Sequence, residues 1–125
     1  MNMMIPAHTT TPAIRFDYDK GYFEIKGESY PEDVVEFYTP IMNSLSEYLN
    51  RCEDKTLTFD LMLTYFNSSS TKVFFSFFQL LEKATECNRV IVNWLYHEDD
   101  DTALEFGQEF QSETCHVEFH LVTVE

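Results

Sequence analysis

The stretch Thr56-Leu57-Thr58-Phe59-Asp60-Leu61-Met62-Leu63-Thr64-Tyr65-Phe66-Asn67-Ser68-Ser69-Ser70-Thr71-Lys72 decides the fold class. Its first part alternates. Leu57, Phe59, Leu61 and Leu63 fall on one face of a strand, and Thr56, Thr58, Asp60 and Thr64 on the other. That asymmetry implies a sheet covered more thoroughly on one side than on the other. Beyond Lys72 the period changes. Val73, Phe74, Phe77, Phe78, Leu80, Leu81 and Ala84 recur at helical spacing, a stripe that belongs in a packed core rather than around a ligand. A strand therefore hands over to a helix, with four consecutive hydroxyls at the handover. Free amides and the positive end of the helix macrodipole favour negative charge at such a place. The serines read either as part of an ordinary Asn or Ser cap or as a phosphorylation site whose phosphate the helix start would accept.

Upstream, Ala13-Ile14-Arg15-Phe16-Asp17-Tyr18 and Tyr22-Phe23-Glu24-Ile25-Lys26-Gly27 also alternate. Asp19-Lys20-Gly21 between them is a turn with Gly placed for a positive φ, so the pair reads as a β-hairpin. Ser29 and Glu32 have capping-box spacing, and Pro31 suits a first helical turn. The apolar face of that helix is expected to run through Val34, Val35, Phe37, Tyr38, Ile41, Met42, Leu45, Tyr48 and Leu49 to about Asn50, with Pro40 expected to kink it or split off a short first segment. Downstream, Val90-Ile91-Val92-Asn93-Trp94-Leu95-Tyr96 reads as a buried strand. An acidic loop, His97-Glu98-Asp99-Asp100-Asp101, opens a further helix, and residues 117–124 form a last strand. Residues 1–10 read as a disordered N-terminal lead and 11–125 as a single domain. The expected architecture is α/β in the order ββαβαβαβ, with a mixed sheet of about five strands and helices packed mainly on one face.

Charge excludes several function classes. The chain has 22 acidic and 8 basic residues, a formal net of −14, which repels phosphate backbones and anionic lipid. Nucleic acid and membrane are poor partners for it; a basic protein surface suits it better. Cys52, Cys87 and Cys115 are an odd number without CxxC spacing, which argues against a disulfide framework. The first residues have no signal-peptide pattern and no run approaches the ~20 apolar residues that span a bilayer, so a cytoplasmic location is expected.

Catalytic constellations are thin. Cys115-His116 would be adjacent on a strand and so point to opposite faces, which prevents a thiolate–imidazole pair. His97 with Asp99, Asp100 and Asp101 could offer hard ligands to a divalent cation, and a metal-dependent enzyme is one alternative reading. The loop lacks both the Asp-x-Asp-x-Asp-Gly pattern of a calcium site and the paired His of a zinc site. An acidic helix start accounts for the same residues. No Gly-rich phosphate cradle occurs, so no cofactor, metal or enzymatic activity is expected.

Thr11-Pro12-Ala13-Ile14, Gly27-Glu28-Ser29-Tyr30-Pro31-Glu32, Tyr65-Phe66-Asn67-Ser68-Ser69-Ser70-Thr71-Lys72 and Val92-Asn93-Trp94-Leu95-Tyr96 together resemble the SiaC family of bacterial regulatory phosphoproteins. The resemblance runs from about Thr11 to the C-terminus. It implies a STAS-like domain, the fold of anti-sigma-factor antagonists, acting as a partner switch. On that likeness a serine/threonine kinase phosphorylates the hydroxyl residue after the Asn, a PP2C-like phosphatase reverses it, and the unphosphorylated form binds and activates a diguanylate cyclase, which governs cyclic-di-GMP and biofilm formation. The residue that corresponds is Ser68, where the family pattern has Thr, with Ser69, Ser70 and Thr71 as competing acceptors. Asn67, Ser69 and Lys72 are the implied partner or phosphate contacts. The alternative of a different class is a constitutive interaction module of the same fold, whose serines only cap a helix.

Overall fold

A computed structural model of the chain describes residues 2–124. The described residues form β1 (Asn2–Ile5), β2 (Ala13–Asp17), β3 (Tyr22–Ser29), α1 (Val34–Arg51), β4 (Thr56–Phe66), α2 (Ser68–Ala84), β5 (Arg89–His97), α3 (Asp101–Ser112) and β6 (Glu118–Val124). All six strands make one sheet in sequence order. β2 runs antiparallel to both β1 and β3, and β3 to β6 run parallel. Parallel neighbours need a crossover, and each of the three helices supplies one. The mixed α/β architecture with its hairpin start matches the sequence reading.

Two features depart from it. The sheet has six strands rather than about five, because Asn2–Ile5 pairs with β2 instead of forming a disordered lead. Met3 and Ile5 pack against the core, while Met4 on the other face is 74 % exposed. Four residues with one apolar face pair only because β2 presents an unpaired edge. Helix α1 also runs through Pro40 without splitting. The carbonyl that Pro40 leaves without a donor belongs to Glu36, and both residues are exposed, so the lost bond faces water.

One face of the sheet carries the core. Phe23, Ile25, Leu57, Phe59, Leu61, Leu63, Val92 and Trp94 pack there against Ile41 and Leu45 of α1, Phe74, Phe77, Phe78 and Leu81 of α2, and Phe110 of α3. The other face is polar and half-open. At its centre Asp60 accepts from Tyr22 Oη at 2.7 Å and from Asn93 Nδ2 at 2.8 Å. The Thr/Asp face read from β4 is thus the open one. Gly21 takes φ +65° in the turn between β2 and β3, as its position implied. Gly107 has another function: a Cβ there would lie 2.5 Å from a ring carbon of Trp94, so only Gly lets α3 sit this close to β5. Trp94 Nε1 donates to Ala103 O at 2.9 Å and seals the contact.

Candidate functional site

Each helix follows a parallel strand, so all three begin along the edge formed by the C-terminal ends of β3, β4 and β5. The middle start, that of α2, carries the hydroxyl run. Asn67 is its cap, in extended conformation, and its Oδ1 accepts from Ser70 N at 3.0 Å. The helix therefore begins at Ser68, and all four hydroxyl residues lie in its first turn rather than in a loop before it.

The four hydroxyls have different surroundings. Ser70 is fully buried, and its Oγ lies 2.9 Å from Ser29 Oγ, which lies 2.5 Å from Tyr38 Oη. This chain of hydroxyls joins α2 to β3 and α1 inside an apolar core, and burial, partly offset by the Ser29 bond, pushes the Tyr38 hydroxyl up to about 12. Thr71 is half-buried and its Oγ1 donates to Asn67 O at 3.0 Å. Ser68 and Ser69 are exposed, and neither hydroxyl takes part in a hydrogen bond among the described residues. Lys72 is exposed one turn after Ser68, at the spacing that puts two side chains on the same side of a helix.

The flanking helix starts are acidic. Asp33 caps α1 through Glu36 N at 3.0 Å, with Glu36 in the first turn. Asp100 caps α3 through Ala103 N at 3.0 Å, with Asp101 in the first turn. No acidic residue lies in the first turn of α2. The macrodipole of α2 is left without a carboxylate between two starts that each have more than one. The capping box read at Ser29 and Glu32 is corrected by Asp33. Ser29 ends β3 on the same buried face as Phe23 and Ile25, and the helix does not begin until Val34.

The remaining candidates do not converge. His97 ends β5, Asp100 is occupied as a cap, and Asp101 begins α3; among the described residues no group of three metal-binding side chains is gathered. Cys115 and His116 precede β6 rather than lying on it. Their amides, with that of Val117, donate to the Glu82 carboxylate near the end of α2 at 3.0–3.3 Å, and His116 Nδ1 lies 2.7 Å from it. Burial works against the Glu82 charge, yet these four partners overcome it and hold the carboxyl at about 2. Sequence reasoning gave Ser29 to a cap and Tyr38 only to an apolar face, and it missed Glu82. A Ser in line with Phe23 and Ile25 on a strand was a signal for the first; Glu82 gave none, since its partners are distant backbone amides.

Fold and site together define a class: a mixed α/β domain that exposes a hydroxyl-bearing helix start. More particularly, the chain belongs to the SiaC family regulatory phosphoproteins, whose family model matches residues 5–124. It is 32% identical over 119 residues to an uncharacterised protein of Pseudomonas aeruginosa strain UCBPP-PA14, covering 94% of this chain and 93% of that one. Among solved structures it is similar to SiaC of Pseudomonas aeruginosa, with TM-score 0.88, 27% identity and 99% of each chain covered. It is likewise similar to a chain in the crystal structure of the diguanylate cyclase SiaD in complex with its activator SiaC from Pseudomonas aeruginosa, with TM-score 0.88, 28% identity, and 98% of this chain and 99% of that one covered.

Proposed function

We propose that the protein is a non-enzymatic, cytoplasmic partner switch of STAS-like type, set by phosphorylation of Ser68. A serine/threonine kinase adds the phosphate and a PP2C-like phosphatase removes it. The unphosphorylated form binds and activates a diguanylate cyclase, as SiaC activates SiaD. The observation that carries the reading is that Ser68 stands exposed at a helix start with no carboxylate. A phosphate there brings about −1.5 to −2 charge and three acceptor oxygens to free amides, with Lys72 one turn away. Ser70 lies fully buried and the Thr71 hydroxyl is engaged, which leaves Ser69 as the competing acceptor. The constitutive-module alternative needs the serines as caps, and Asn67 already fills that role.

The test is intact mass after incubation with ATP and the cognate kinase. Wild type gains one phosphoryl group and Ser68→Ala gains none. Undiminished labelling of Ser68→Ala moves the site to Ser69. No added mass, with a kinase active on another substrate, returns the chain to the constitutive module. A cyclase assay with both forms then tests the output: the unphosphorylated protein raises activity and the phosphorylated one does not.

A further inference from the structure

A groove of about 440 Å³ lies between the end of β4 and the start of α3, beginning two residues before Ser68. Phe66, Ala103 and Phe106 give it an apolar lining, and Tyr65, Thr102 and Asp100 complete it. Tyr65 is 53 % exposed, unusual for so large a ring, and Tyr30 supports it edge-on at 5.4 Å. A half-covered aromatic beside apolar lining is characteristic of a contact surface.

Charge says what fits. Asp100 lines the groove, Asp101 and Glu105 stand exposed on the helix that lines it, and beyond Arg89 the chain contains no Lys or Arg. A partner that brought its own carboxylates to these acids would be repelled, and one that brought a cation would be steered in. We propose that this groove docks an amphipathic segment of the effector protein. An apolar side chain enters against Phe66 and Phe106, and a Lys or Arg beside it faces the acidic α3 bank. The assignment rests on the switch reading only in naming the effector as the occupant; the chemistry of the occupant comes from the groove. Its position places the docked segment next to Ser68, where a phosphate adds bulk and a hydration shell that an apolar contact must displace.

The probe is a fluorescein-labelled helical peptide of leucine and lysine, titrated by anisotropy into the unphosphorylated full chain. Two companions replace its lysines by glutamate or its leucines by serine. The leucine–lysine peptide binds, and both companions bind at least about tenfold more weakly. Tyr65→Ala and Thr102→Arg each lower affinity for it by about tenfold or more. Glu86→Gln, which removes one exposed carboxylate from the turn after α2, leaves it unchanged. Emission of the buried Trp94 confirms that each variant is folded.

Equal binding of the serine–lysine peptide would overturn the groove, as would wild-type affinity in both groove variants, because either result means adhesion to net charge. Absence of any binding overturns it too. Phosphorylation is read separately by mass. A phosphorylated Ser68 with no groove binding rejects the groove alone, and groove binding without phosphorylation rejects the switch alone.

Discussion

The two ends of α2 are built in opposite ways. At its C-terminal end Glu82 gathers three backbone amides and a histidine, and Asn88 Nδ2 bridges Ala84 O and Cys52 O at 3.1 and 3.0 Å. Little there is left to bond. At the N-terminal end one asparagine does the capping, one serine is sunk in the core, and two hydroxyls face solvent without a hydrogen bond among the described residues. Both ends pack into one core, through Phe74 near the start and Leu81 and Ala84 near the end, and they differ in their polar chemistry. The hydroxyls at the start are left for other partners, and the polar groups at the end are used within the fold.

The largest effect expected from that contrast comes from putting the same charge on neighbouring hydroxyls. Ser70→Asp places a carboxylate inside the Ser29–Tyr38 cluster, which has no cation, and costs roughly 3–5 kcal/mol, on the scale of an uncompensated buried charge. Urea denaturation measures it. If Ser70→Asp unfolds at the wild-type midpoint, the buried cluster is not a constraint on the helix start.

Next in size is Glu82→Gln at the other end, about 1–2 kcal/mol at neutral pH, since bonds to a charged group are strong but this one is partly solvated. Its folded value, about 2, is below the ordinary carboxyl value of 4.5. The stabilisation is therefore fully present above about 4.5 and is lost as pH falls from there through about 2. Wild-type and Glu82→Gln urea midpoints should converge across that window. A gap that stays constant down to pH 2 rules out the carboxylate as its source.

Asn67→Ala removes the cap that the hydroxyls do not replace, at a cost of about 1 kcal/mol. A loss under about 0.3 kcal/mol would mean that Ser68 or Ser69 takes over the capping, which would also favour the constitutive-module reading. Circular dichroism thermal melts on Asn67→Ala, alone and combined with Ser68→Ala, separate the two cases through their additivity.

Much of this molecule was legible in its sequence because periodicity reports burial. Alternation in Leu57 to Leu63 and helical spacing in Phe74 to Leu81 fixed the strand–helix unit around which the sheet is ordered. The glycine in the first turn and the acidic start of α3 were legible for the same local reason. What escaped depends on partners distant in the chain. Asn2–Ile5 is too short to show a period, and it becomes a strand only because β2 offers an edge. Gly107 looks like an ordinary helix interruption until Trp94 is seen beneath it. The four hydroxyls are alike in sequence, and only the packing of Ser29 and Tyr38 separates Ser70 from Ser68.

The smallest effect expected is also the one that bears most directly on the helix start. Ser68→Asp puts a carboxylate in the first turn of α2, where dipole and free amides should make it stabilising by about 0.3–1 kcal/mol. The opposing term is repulsion from the acids at the starts of α1 and α3. The free amides are in the same turn as the new charge, whereas those acids belong to neighbouring helices, so attraction should win at moderate salt. Melts of wild type and Ser68→Asp at low and high salt decide it. A gain that shrinks with salt supports a start left open for an anion. A loss that shrinks with salt means the flanking acids govern this edge, and a phosphate on Ser68 would then be a destabilising mark rather than an accommodated one.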